Sequence, residues 1–122
     1  MGHPGPRVGD LRERVRVEKK IRVPTGDGAG NYEDGWQTLI DGRSARIAPT
    51  RGGEQVLAGR LAGVESYDIW VRKDAETRMI TVGDRIVDTR DEARIFNIRW
   101  IGNLDERGRF LLLQAQAGVA DE

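Results

Sequence analysis

Short runs of alternating apolar and polar residues, set close together and punctuated by glycine, constrain this chain more than any other feature. The first, LRERVRVEKKIRV from Leu11, places Val15, Val17, Ile21 and Val23 against charged neighbours. Its phase breaks near Lys19-Lys20, which suits a bulge. PTGDGAGNYEDG, Pro24 to Gly35, is turn chemistry throughout and predicts a long hairpin loop. WQTLI and RSARIAP predict two more strands, the second ended by Pro49, which cannot donate to a ladder. VESYDIWVR sets Tyr67, Ile69 and Val71 on one face, and DRIVD follows. ARIFNIRWI then alternates Phe96, Ile98 and Trp100 against Ile95, Asn97 and Arg99, and RFLLLQAQ closes the series after the turn NLDERG. The expectation is an all-β fold: a small antiparallel β-barrel or sandwich of about seven short strands over residues 11–118. A flexible arm at 1–10 and a flexible tail at 119–122 flank it.

One segment breaks the pattern. In APTRGGEQVLAGRLAG, Ala48 to Gly63, the stretch from Gly53 to Leu61 carries Val56, Leu57, Arg60 and Leu61 at helical spacing. Gly59 weakens that helix by about 1 kcal/mol relative to alanine. Two readings stay open for a marginal helix between strands: it caps the core, or it projects and orders against something outside the subunit.

Composition removes several functions. With 122 residues the chain is one domain by length. Its net charge is zero although 33% of its residues are charged, so it lacks the field that draws polyanions or acidic membranes without specificity. There is no cysteine, hence no disulfide, thiolate metal site or cysteine nucleophile. The start, MGHPGPRVGD, has no apolar run for a signal peptide, and nowhere do eighteen apolar residues run together, so a soluble, unexported protein is expected. Met1-Gly2 resembles a myristoylation start, but Pro6 stands where that signal takes Ser or Thr.

Chemistry-bearing motifs fall short one by one. GDGAG, Gly26 to Gly30, has neither the Lys-Ser/Thr of a P-loop nor a helix beginning at once behind it. Asp27, Asn31, Glu33 and Asp34 do not have the spacing of a calcium loop. Asp84, Asp88, Asp91 and Glu92 flank a strand as turn carboxylates do. The single histidine, His3, lies in the arm, and neither Ser44 nor Ser66 has a base to activate it. No catalytic, cofactor-binding or metal-binding residue is expected, and no enzyme. Trp36, Trp70 and Trp100 all fall in predicted strands and read as core or interface anchors. With Arg72 and Arg99 nearby, Trp70 and Trp100 also keep open an alternative, a single-stranded nucleic-acid-binding barrel.

Charge is patterned. Residues 7–23 carry seven basic side chains against three acidic, and residues 24–42 carry four acidic and none basic. Such strips can pair within one subunit, or bind another copy head to tail and close a ring. The interface candidates are Arg12, Arg14, Arg16, Lys19 and Lys20 on the basic strip, with Asp27, Glu33, Asp34 and Trp36 opposite.

The order GDLRERVRVEKK, GDGAGNYEDGW, ARIAP with GGEQVLAGR, YDIWVR, VGDRIV and ARIFNIRWI resembles the head-tail joining family of tailed bacteriophages, also called head-closure or stopper proteins. The likeness spans about Gly9 to Leu113 and rests on order and spacing rather than on one strong motif. It implies a structural neck component of a phage, prophage or gene transfer agent, made in the bacterial cytoplasm and found in the particle. It further implies a homo-oligomeric ring, hexamer or dodecamer, with a portal-adaptor protein above, a tail-terminator protein below, packaged DNA held without sequence preference in the channel, and no membrane. In such proteins the segment after the Ala-Arg-Ile-x-Pro strand gates the channel. Here that is Thr50 to Gly63, with Gln55, Val56, Leu57 and Leu61 expected to meet their symmetry mates and Arg51 and Arg60 available to phosphate. This chain has DGRSARI where many relatives carry an aromatic before the alanine, and it lacks aromatics in the gate.

Overall fold

The computed structural model of the chain describes residues 7–51, 53–102 and 108–118, apart from the side chains of Val8 and Gln55. Residues 1–6 of the arm expected at 1–10, with His3, most of the NLDERG turn and the tail at 119–122 lie outside those residues. Val8–Asp10 forms a 3-10 turn.

Six strands follow: β1 (Glu13–Pro24), β2 (Tyr32–Pro49), β3 (Glu65–Arg72), β4 (Arg85–Asp88), β5 (Asp91–Gly102) and β6 (Phe110–Ala117). All neighbours are antiparallel, in the order β1-β2-β3-β6-β5-β4, and β4 pairs back onto β1 to close a barrel. The helix α1 (Glu54–Leu61) is inserted between β2 and β3.

The seven expected strands are six because WQTLI and RSARIAP belong to one strand of 18 residues. Asp41-Gly42 looks like a turn in sequence, but it is absorbed as a bulge. Val15 and Val17 pair with Arg43 and Ile40, and Glu18 pairs with Thr38, so β2 spends an extra residue at each step. Bulges of this kind bend a long strand, and here the bend carries β2 from β1 round to β3. The register shift therefore falls between Val15 and Glu18, not at Lys19-Lys20 as the phase of the sequence suggested.

Inward-facing residues fill the barrel: Val15, Val17, Ile40, Ile69, Val71, Ile86, Phe96, Ile98, Leu111 and Leu113 are all buried. A small second cluster, Trp70, Phe110 and Leu112, lies apart from this core with Leu11 packed against it. That cover explains the unbroken FLLL of β6, a strand that is apolar on both faces at that point.

Two strands leave the barrel together. β1 contacts β4 only over Val15–Glu18, and β2 contacts β3 only over Ala45–Pro49, whereas β1 and β2 stay paired from Lys19–Gln37 out to Pro24–Tyr32. Lys19–Pro24 with Tyr32–Gln37 is thus a two-stranded ribbon extending beyond the barrel wall, tipped by the glycine loop.

Candidate assembly surfaces

α1 does not close the core. Val56 is half-buried, while Leu57 is 58% and Leu61 83% exposed. Arg51 and Arg60 are exposed as well; Gln55 sits in α1, and nothing is described of its side chain. The helix begins at Gly53 without a side-chain cap, in keeping with its weak sequence signal. Its base is nevertheless held. Thr50 donates its backbone N–H to the Ser66 carbonyl at 2.9 Å and its hydroxyl to Asp68 at 2.8 Å. At the other end the Val64 N–H reaches the Gly59 carbonyl at 2.7 Å. The result is an outward-projecting helix on a pinned base.

Along one face of the ribbon and the adjoining barrel runs a row of alternating cations, carboxylates and aromatic rings. Arg16 bonds Glu92 at 2.9 Å and Glu18 at 3.0 Å, and Arg85 bonds Glu18 at 2.6 Å. The Arg85 guanidinium lies 4.1 Å from the centre of the Trp36 ring, with Lys20 also over that ring at 5.7 Å. Lys20 reaches Asp34 at 3.7 Å, and Arg22 stands 5.6 Å over Tyr32. Burial pushes the Glu18 carboxyl up, but the hydrogen bonds and charges of Arg85 and Arg16 together outweigh it and leave Glu18 below its ordinary value. The hydrogen bond to Glu92, followed by that to Glu18, raises Arg16 further.

The geometry is that of a small scaffold with two protruding elements and, among the described residues, no catalytic constellation. A family model described as "Phage head completion protein" matches residues 6–118. The chain belongs to the phage head completion protein family. It is accordingly a structural component of a phage or phage-like particle. One similar solved structure is the virion of a native gene transfer agent particle, at 25% identity and TM-score 0.57, covering 88% of this chain and 94% of that one. Another is the solution structure of protein SF1141 from Shigella flexneri 2a, at 21% identity and TM-score 0.65, covering 93% and 97%, which speaks for the fold alone. No curated protein matches.

The interface candidates divide. Arg16, Lys20, Asp34 and Trp36 are brought together in the row just described, and Lys20 with Asp34 pairs the two charge strips inside one subunit. Lys19 turns instead to Thr81 at 3.1 Å and Asp84 at 3.4 Å. Arg12 bonds the Gly9 carbonyl at 3.2 Å, and Arg14 the Ser44 hydroxyl at 3.3 Å. Asp27 accepts the Ala29 N–H at 2.9 Å within its own loop, which holds it below the usual carboxylate range, and Glu33 stays exposed nearby.

The turn carboxylates have local work. Asp84 accepts from the Thr81 N–H at 2.9 Å, and Asp88 from the Arg90 N–H at 2.9 Å and Arg94 at 3.2 Å. Among the described residues no group of three or more His, Cys, Asp or Glu could hold a metal ion.

The tryptophan pair imagined for base stacking does not exist as a surface. Trp70 is 3% exposed beneath Phe110, Leu112 and Leu11. Trp100 is 42% exposed, turned out by a bulge: Ile98 pairs with Ala115 and Trp100 already with Gln114, so two steps of β5 meet one of β6. Strict alternation placed Trp100 beside Phe96 and Ile98, and no local signal marked the extra residue. Glu18, Arg85 and Tyr32 were missed for a related reason, since Arg85 reaches Glu18 only through the β1–β4 closure.

Proposed function

We propose that the chain is a ring-forming neck component that closes the DNA-filled head of a phage or gene transfer agent particle and offers the tail its docking surface. The role is structural rather than catalytic. One observation carries the gating part of this reading: the barrel holds α1 away from its own core with Leu57 and Leu61 uncovered, which is costly unless identical neighbours cover them. Around a ring axis, copies of Val56, Leu57 and Leu61 would meet, and Arg51 and Arg60 would face the phosphates of the retained DNA. The ribbon beyond the barrel, marginal as an isolated two-stranded element, gains from contact with a neighbouring subunit or with the portal adaptor or tail terminator.

Electron cryomicroscopy of the assembled particle tests this. The expected density is a ring of this barrel between portal and tail with α1 pointing at the axis. A ring whose α1 points outward, or a particle with this chain elsewhere, overturns it. Loss of the chain should leave filled heads that leak, together with free tails.

A further inference from the structure

At the start of β1, away from the hairpin loop, lies an open basin of about 410 Å³ on the barrel surface. Arg14, Gly42, Arg43, Ser44, Arg72 and Glu76 line it. Arg43 is fixed there by Asp74 at 2.5 Å and Glu76 at 2.6 Å, and its buried Nε has no hydrogen-bond acceptor. Arg14 lies flat over Gly42, where a Cβ would come within 3.1 Å of its guanidinium, and Ser44 steadies it. Arg14 and exposed Arg72 have no carboxylate partner among the described residues. Two uncommitted guanidiniums beside a third that is held rigid form a receptor for a carboxylate, which such forks bind through paired charge-assisted hydrogen bonds.

We infer that this basin receives the acidic hairpin end of a second copy of the chain, Asp27 and Glu33, in a contact which rests on the ring assembly proposed above. Both carboxylates are exposed and without a cation partner among the described residues. They belong to the same hairpin as Arg14 but to its other end: Arg14 pairs with Ser44, Val23 with Glu33, and the Asp27 loop lies beyond Pro24. Ten strand residues at about 3.3 Å each separate the two patches, so no subunit can satisfy its own basin. Complementary patches at opposite ends of one hairpin make a heterologous contact, the kind that propagates from copy to copy until it closes. A phosphodiester is the poorer occupant, because Glu76 stands in the wall of the basin and Asp74 adjoins it through Arg43, and the two repel a polyanion, whereas a single side-chain carboxylate can sit between Arg14 and Arg72.

The chain has no cysteine, so introduced thiols are the only ones it carries. Full-length chain carrying Asp27→Cys and Ser44→Cys, oxidised in assembled particles, should give a ladder of covalent multimers on a denaturing gel, with neither single variant going beyond a dimer. In parallel, Arg14→Glu with Arg72→Glu should lower incorporation into particles by about tenfold at low salt, with an unchanged melting temperature, and Asp27→Lys with Glu33→Lys should restore it. Rings that form normally with no ladder and no effect of the reversals overturn the inference and leave the ring standing. Absence of any ring of the unaltered chain overturns both. Binding of inorganic phosphate or a short duplex that disappears in the Arg14→Glu, Arg72→Glu variant, again without a ladder, assigns the basin to phosphate and overturns the copy-to-copy contact.

Discussion

A Cβ on Gly118 would sit 2.3 Å from the Gly63 carbonyl oxygen. These two glycines, at φ +81° and +83°, bring the end of β6 against the turn that leads out of α1. With Thr50 bonded to Ser66 on the other side, the base of the projecting helix is clamped while its outer turns are not.

Gly118→Ala should therefore act on the helix more than on the barrel. Alanine meets a backbone oxygen and an unfavourable φ, a combination costing about 1–3 kcal/mol. Hydrogen exchange should show faster amide exchange in α1 and its flanking turns with the barrel strands nearly unchanged. Uniform loss of protection in all strands would show that the clamp belongs to the global fold.

Leu61→Ser should separate folding from assembly. A side chain 83% exposed contributes little to the monomer, so the change in unfolding free energy should stay within about 0.5 kcal/mol. Particles carrying it should lose packaged DNA faster, measured as nuclease-accessible DNA in purified filled heads.

Glu18 supplies a pH dependence whose direction is set. A carboxyl held below its ordinary value stabilises the fold above the unfolded-state pKa, and that contribution is lost as pH falls through the lower folded value. Asp74, lowered first by the Thr77 N–H and also by Arg43, acts in the same direction, though its partial exposure makes it the lesser contributor. The urea midpoint should fall below the ordinary carboxylate range, and Glu18→Gln should flatten that fall. The same substitution should cost about 1–3 kcal/mol near neutral pH, since Arg16 and Arg85 lose a charged acceptor.

Trp100 lies over Gly102 so closely that a Cβ there would fall 1.8 Å from the indole ring. Gly102→Ala should force the ring off its seat, at about 0.5–1.5 kcal/mol for the displaced rotamer. In a Trp36→Phe background the emission should shift to the red; unchanged emission would mean that the ring does not rest there.

Much of this was legible in residue order. The Val15, Val17 and Ile69, Val71 alternations and the helix over Glu54–Leu61 are local patterns, and local backbone preferences and one-face burial suffice to place them. The hairpin loop expected over Pro24 to Gly35 is shorter, because Pro24 ends β1 and Tyr32 to Gly35 pair in β2, where cross-strand hydrogen bonds override their turn chemistry. The order of six weak motifs likewise sufficed for the family. What spacing could not supply was the fate of Asp41-Gly42 and Arg99, where an extra residue is swallowed as a bulge because the partner strand demands a bend. Those bulges decide that β2 is one strand, that Trp100 faces outward and that the register shift precedes Lys19. The Glu18, Arg85 and Trp36 row and the Arg14, Arg43 and Arg72 basin are decided in the same way: each joins strands distant in sequence, and only barrel closure brings their charges within hydrogen-bonding or stacking reach.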